Sequence, residues 1–435
     1  NRFVSFYSNA SYTYDDKYVL SGSIRWDRSN LWGTNSKYQN KPLWSVGGSW
    51  NIYKEKFFQA DFVDMLKLRA SYGIGGNIER NTAPYLIASY YDSSLVDGMA
   101  GSVNTPPNKD IRWEKTTTVN VGVDFALFRH RLSGTIEYYN KYSVDLLAAI
   151  NGSPTQGFGY TTLMTNNGKM VNQGVEITLS GEIIRQKDFS WNASLLYAFN
   201  RNKVKHISVQ PSLWDSRISM PTSYPMVGKP LYGIYAYKWA GLNENGDPQV
   251  YDAENNVTSG PARDYHALVY CGTTVPIHNA SLTNVLRYKG FEFSAMLILD
   301  AGHKLRSSNI PSINMSNGRI TSTAKGIVDR WTQPGDVTDV PRLLFSNDTE
   351  NFNTHRTELY RYSDLFVYDA SNIRLSNISL AYRVPAHWCK KISLSGARLQ
   401  FNVENVATFA FDSKANYDLG GKVKPNYVWG LYLNF

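Results

Sequence analysis

Asn243-Glu-Asn-Gly-Asp-Pro-Gln-Val-Tyr-Asp-Ala-Glu254 comes nearest to metal-binding chemistry in this chain. Counted from Asn243, oxygen donors fall at the first, third and fifth places and Glu254 at the twelfth, loosely as in a calcium loop. Pro248 stands where such a loop needs glycine, and no helices flank the stretch. Asn-Gly-Asp-Pro between short strands reads more simply as a hairpin turn. The histidines (His130, His206, His266, His278, His303, His355 and His387) are dispersed, with no metal-ligand spacing. No nucleophile elbow, phosphate-binding Walker loop or His-Glu-x-x-His motif occurs. The pair Asp15-Asp16 falls where a tight turn is expected, which suits solvated turn chemistry better than acid-base work. The expectation is therefore no catalytic residue, no metal and no cofactor. What remains is binding. Trp214, Trp239, Tyr251, Tyr265, Trp331 and Tyr360 lie in the two longest connections. As a set these rings form a candidate surface for a sugar, a peptide or a partner, since an aromatic offers much contact area at little entropy cost. Any one of them is better explained by packing its own loop.

The elements that must hold those connections are strands. Tyr427, Trp429, Leu431, Leu433 and Phe435 occupy alternate positions at the end of the chain, against Val428, Gly430, Tyr432 and Asn434. Ala397, Leu399, Phe401 and Val403 alternate with Arg398, Gln400, Asn402 and Glu404, and the second set is too charged for a sandwich core. The same two-residue period runs through Val119 to Leu127 and Tyr18 to Asp27. An apolar face against a wet face, repeated many times, is the pattern of a transmembrane barrel whose outer residues meet lipid. Tyr427, Trp429, Leu431, Leu433 and Phe435 are the expected lipid-facing residues.

Composition agrees. Of 435 residues 14% are aromatic, with 30 Tyr, which suits the interfacial girdles of such a barrel. Mean hydropathy is −0.37, and no run approaches the roughly 18 apolar residues of a spanning helix. The net charge of +9 is scattered, with no recognition helix or basic run, so nucleic acid is not an expected partner. Solvated loops, the lumen and anionic headgroups or ligands account for it better.

Strands are expected at 3–14, 17–28, 43–53, 65–74, 115–127, 131–142, 169–181, 189–200, 281–289, 291–300, 372–384, 392–405 and 427–435. Short connections then alternate with long ones at 29–42, 75–114, 143–168, 201–280, 301–371 and 406–426. Short periplasmic turns and long extracellular loops are the rule for outer-membrane barrels, so Phe435 is assigned to the periplasmic end. About thirteen strands is odd where single-chain bacterial barrels are even. The chain also begins at Asn1, directly in a strand. The expectation is that residues 1–435 are the C-terminal part of a longer barrel whose first strands precede them. Cys271 and Cys389 fall at opposite ends of the barrel and are not expected to pair.

Particular strings resemble the TonB-dependent outer-membrane transporters of the SusC/RagA type. They are Trp113-Glu-Lys-Thr-Thr-Thr-Val-Asn-Val-Gly122, Arg131-Leu-Ser-Gly-Thr-Ile-Glu-Tyr-Tyr-Asn-Lys141, Asp145-Leu-Leu147 and Asn172-Gln-Gly-Val-Glu176. Arg330-Trp-Thr-Gln-Pro-Gly-Asp336, the stretch from Asp369 to Tyr382, Phe401-Asn-Val-Glu-Asn405 and the terminal Phe435 continue the likeness in order. Phe411-Asp-Ser-Lys-Ala-Asn416 departs from the family pattern, so nothing is carried over to that loop. The resemblance implies a barrel of about 22 strands with an internal plug upstream. It also implies active import of oligosaccharides or peptides energised through TonB, and a SusD-like surface lipoprotein as a lid over the long loops. The terminal Phe would serve barrel assembly. A passive porin is the nearest alternative, and an outer-membrane hydrolase a more distant one.

Overall fold

The computed structural model describes residues 3–29, 35, 42–77, 84–95, 98–105, 107–151, 155, 162–209, 215–260, 262, 264–315, 323–345, 354–420 and 424–435. Thirteen of its strands form one antiparallel sheet in which every neighbour in space is also the next sheet strand along the chain. They are β1 Phe3–Tyr14, β2 Tyr18–Ser29, β3 Leu43–Asn51, β4 Val63–Asn77, β5 Glu114–Leu127, β6 Leu132–Asn151 and β7 Thr162–Arg185. The series continues with β8 Phe189–His206, β9 His278–Tyr288, β10 Phe291–Ala301, β11 Asn372–Arg383, β12 Gly396–Ala410 and β13 Asn426–Asn434. Such an up-and-down order needs only hairpin connections, and the short ones are chemically specified. Asp15 and Asp16 both adopt positive φ (50° and 52°), the backbone that a two-residue primed turn requires, and Lys17 N–H donates to Tyr14 C=O at 3.0 Å. In the Lys289-Gly290 turn between Tyr288 and Phe291, Lys289 has positive φ (51°).

The ladder makes one face apolar from strand to strand. Directly paired positions run Tyr18, Trp50, Leu68, Val123, Ile136, Ile177, Tyr197, Ala280, Leu299, Ile373 and Phe409 across β2 to β12 without a polar member. One residue along each strand, the row Ser49, Arg69, Gly122, Glu137, Glu176, Ala198, Asn279 and Asp300 occupies the opposite face. There the charges pair with one another: Arg69 reaches Glu137 at 2.7 Å and Asp124 at 3.2 Å, and Glu292 takes both Arg287 (2.7 Å) and Arg398 (3.1 Å). In β13, Tyr427, Trp429, Leu431 and Leu433 lie opposite Val403, Phe401, Leu399 and Ala397, and the Trp429 and Phe401 rings are 4.3 Å apart. Trp429 is 79% exposed. An apolar belt this extensive far exceeds the patches that soluble monomers leave in water. Among the described residues β1 and β13 are the two free edges of the sheet.

Two of the expected boundaries are corrected. The stretch 143–168, expected as a loop, is mostly strand: β6 continues to Asn151 and β7 begins at Thr162. Asp145, at φ 57°, sits in an irregularity between Ser143 and Leu146, and this bulge shifts the alternation so that the two-residue period breaks in the sequence. Arg112 clamps it at 2.7 Å. Likewise β12 runs on past Asn405, whose φ of 53° marks a second bulge opposite Leu375 and Asn377. Inside the 75–114 connection a further hairpin forms, Ile87–Ser93 with Gly98–Thr105. Cys271 and Cys389 are both free thiols, the first on the strand Leu268–Thr273 and the second in the helix Ala386–Lys390.

Gly174, in the Asn-Gln-Gly-Val-Glu string, pairs with Tyr139, whose ring covers it. A Cβ at this position would lie 2.5 Å from both the Phe199 carbonyl oxygen and the Tyr139 ring. Gly174→Ala is expected to destabilise the folded sheet by about 1–3 kcal/mol through overpacking. A urea midpoint equal to that of the unsubstituted protein would contradict this.

Candidate functional site

The two longest connections, 207–277 and 302–371, fold into each other. Gly233–Tyr237 pairs with Leu268–Thr273, and Trp239–Leu242 forms a small sheet with Pro248–Tyr251 and Val257–Thr258. From the second connection, Lys304–Arg306 pairs with Val367–Asp369, and the helix Thr354–Arg361 supplies Leu359 and Tyr360. Leu359 completes a core with Tyr235, Tyr237, Val250, Ala262, Ala267 and Leu268 from the first. Ile313, Tyr360 and Phe366 form a second core, and Trp239 packs against both. Hydrogen bonds to backbone carbonyls stitch the halves together: Tyr237 N–H donates to Tyr362 C=O at 2.9 Å, and the Arg306 guanidinium Nη2 donates to Tyr235 C=O at 2.6 Å. Burial raises the Tyr235, Tyr237 and Tyr360 phenols above their ordinary values; Tyr237 Oη donates to Ala262 C=O at 2.8 Å, and Tyr235 Oη accepts the Met226 N–H at 3.1 Å.

At the centre lies an ion cluster. Arg356, with a side chain only 2% exposed, donates from Nε to Asp247 Oδ1 at 2.7 Å and from Nη1 to Asn314 Oδ1 at 2.5 Å. It also donates from Nη2 to the Arg342 carbonyl at 2.7 Å. Arg342 grips the same Asp247 through Nε (3.0 Å) and Nη2 (2.8 Å). Burial lowers the Arg356 proton affinity and the Asp247 carboxylate opposes that, which keeps the cluster charged. Asp247 belongs to the stretch that resembles a calcium loop. Its oxygens serve two guanidiniums, while Asn243 Oδ1 accepts the Asn245 and Asp247 backbone N–H groups. Trp239–Leu242 and Pro248–Tyr251 are indeed joined there as a hairpin. Gly246, at φ +72°, has the Trp331 ring over it and leaves no room for a Cβ. Among the described residues no group of three or more His, Cys, Asp or Glu is arranged to hold a metal.

The aromatic set does not converge on one cleft. Trp239 donates its Nε1–H to Asp339 at 3.1 Å and packs 5.9 Å from Tyr360. Tyr360 is 1% exposed, so the expectation that it meets a ligand is corrected: it is core. Trp331 seals the Gly246 turn. Half-buried Tyr251 and Tyr265 carry cations on their rings, Lys238 at 4.6 Å and Arg217 at 4.7 Å. Trp214 lies outside the described residues. Sequence reasoning missed Asp247, Arg342, Arg356 and Arg306 as organisers. Only the Asn-Gly-Asp turn hinted at one of them.

The family model described as TonB dependent receptor-like, beta-barrel matches residues 1–406. TonB-dependent receptor P3 of Formosa agariphila is 27% identical across 98% of this chain and 43% of its own length. TonB-dependent receptor SusC of Bacteroides thetaiotaomicron is 25% identical across 93% of this chain and 40% of its own. The solved structure of the RagAB peptide transporter superposes on all of this chain and 48% of that one, with TM-score 0.80 and 23% identity. The chain thus spans less than half the length of the relatives it matches.

Asp247→Ala would leave Arg356 buried without its carboxylate, a change that costs about 3–5 kcal/mol. The expected outcome is local opening: faster hydrogen exchange in Thr354–Arg361 and new protease cleavage between 243 and 260, with the sheet intact. Unchanged exchange in that helix would refute the assignment of the cluster as the organiser of the loops.

Proposed function

The chain belongs to the TonB dependent receptor-like β-barrel family, and from that premise we propose that it is the C-terminal part of an outer-membrane importer. The observation that carries this reading is the pair of faces described above: an unbroken apolar row across eleven strands, backed by a polar row of paired charges. Lipid requires the first, and a wet interior tolerates only the second. On this reading Tyr427, Trp429, Leu431, Leu433 and Phe435 meet lipid, and residues 1–435 supply thirteen strands of a barrel of about 22 that encloses a plug. The protein carries no chemistry of its own. It binds an oligosaccharide or peptide, and TonB supplies the force for passage. The likeness to a peptide transporter supports the fold and leaves both cargo classes open.

The folded body made by 207–277 and 302–371 would stand on the extracellular side, where a SusD-like lipoprotein lid would dock. The hairpin β6–β7 would reach it as well. The 24 residues of β7 span roughly 80 Å along the strand, against an apolar band about 25 Å tall even with the usual tilt. A passive porin is the second reading. Uptake of labelled oligosaccharides and peptides by cells carrying the full protein separates the two. An importer saturates and stops when TonB coupling is abolished, whereas a porin does neither. Replacing both loop segments by short turns is expected to abolish lid docking and uptake while the barrel still assembles. Lid binding that survives this double replacement would overturn the docking assignment.

Leu431→Arg is expected to cost about 2–4 kcal/mol of barrel stability if it sits near the bilayer midplane. Arg398→Ala, on the opposite face, should escape that penalty, and deletion of Phe435 should lower the amount of assembled protein. Equal losses for Leu431→Arg and Arg398→Ala in a bilayer unfolding titration would count against this choice of lipid face.

A further inference from the structure

Where β8 outruns β9, a cavity of about 510 Å³ opens at the root of the loop body. Asn200 N–H donates to Ile277 C=O at 2.9 Å, and beyond that point the segment 228–229 takes over as the partner of β8 through Val204 N–H to Lys229 C=O (2.9 Å) and Gly228 N–H to Val204 C=O (2.8 Å). The fork between 228–230 and 273–278 is the cavity. Arg201, Lys203 and Lys229 line it together with His278, Phe199 and Tyr270, and no carboxylate does. Among the described residues Arg201 and Lys203 form no ion pair, while the Lys229 ammonium rests 4.8 Å from the Tyr270 ring centroid. Side-chain alternation along β8 decides which way Arg201 and Lys203 point. Phe199, Arg201 and Lys203 follow Tyr197 at two-residue steps, so they share the face of the apolar row, and His278 is the direct partner of Phe199. Tyr197 Oη and His278 Nδ1 lie 2.9 Å apart at the end of that row.

We propose that this cavity binds the phosphorylated headgroup of an outer-leaflet glycolipid. Three cations without acid partners match a multiply charged phosphate group, and the aromatic and apolar floor continues into the belt that would meet the acyl chains. A soluble cargo anion would need the opposite face, so the cavity is a lipid site and not part of the transport path. The inference rests on the membrane reading above and adds to it a fixed lipid at the mouth of the protein.

The test uses the full-length protein in phosphatidylcholine nanodiscs, with bis-phosphorylated lipid A, its dephosphorylated form and inorganic phosphate as probes. Lipid A is expected to bind about a hundredfold more weakly to the triple variant R201Q/K203Q/K229Q, the loss of roughly three surface cations. The dephosphorylated glycolipid should not discriminate between the two proteins, and inorganic phosphate should not displace lipid A at concentrations near the lipid Kd. Equal lipid A binding by both proteins overturns the proposal. So does displacement by inorganic phosphate, which would mark a free-anion site. Heat-modifiable gel mobility checks that each protein forms a barrel. Failure of the unsubstituted protein to insert overturns the membrane reading itself, whereas insertion without lipid A discrimination overturns this site alone. The single variants R201Q and K203Q, each expected to weaken binding several-fold, carry the same test if the triple variant does not fold.

Discussion

Between the two edge strands, and bulges apart, the backbone donors and acceptors of each strand are answered by its neighbours, and this ladder is the constraint on which everything else depends. In hydrocarbon an unanswered group costs several kcal/mol, so a strand that spans lipid must have partners on both sides. The pairing also transmits direction. Because side chains alternate, a residue that points outward obliges its partner to point outward, and the obligation passes from Tyr18 through Leu68 and Ile177 to Phe409. A slip of one residue would turn Glu137, Glu292 and Arg398 onto the apolar side. The Arg69–Glu137 and Glu292–Arg398 pairs oppose such a slip, since each links different strands on the polar face.

The ladder also explains how the long connections can be elaborate without disturbing the sheet. Strands that leave and re-enter at fixed positions hold the ends of 207–277 and 302–371 close together. The loops then need only bury their own rings and satisfy their own charges. Arg356 acts here as a nucleus that an apolar residue could not replace. One guanidinium organises a carboxylate from one loop, and an amide and a carbonyl from the other. Most of the loop aromatics are spent on this internal packing. What the loop body exposes is therefore its assembled shape more than a row of open rings. The basic fork at its base is a by-product of the same arrangement, formed where one strand outlasts its neighbour.

Legibility followed the range of the interaction. All thirteen sheet strands were expected from the sequence, because a two-residue period is a property of the backbone at each position. The period failed at Asp145 and Asn405, where positive φ shifts the alternation and the strands nevertheless run on. The Asn-Gly-Asp turn was read correctly as a hairpin from local turn chemistry, but the use of its carboxylate was not. Asp247 and Arg356 are 109 residues apart in sequence, and nothing in either neighbourhood announces the other.

By itself, then, the sequence determined the β-class, the strand count, the alternation of short and long connections, and which residues of each strand share a face. All of these follow from local geometry repeated along the chain. Only the tertiary structure decided that two separate loops form one body, that Tyr360 is core, that Arg356 is buried against Asp247, and that Arg201, Lys203 and Lys229 surround one cavity. These depend on which distant segments the ladder brings within a few ångströms of each other, and a periodic pattern carries no record of that.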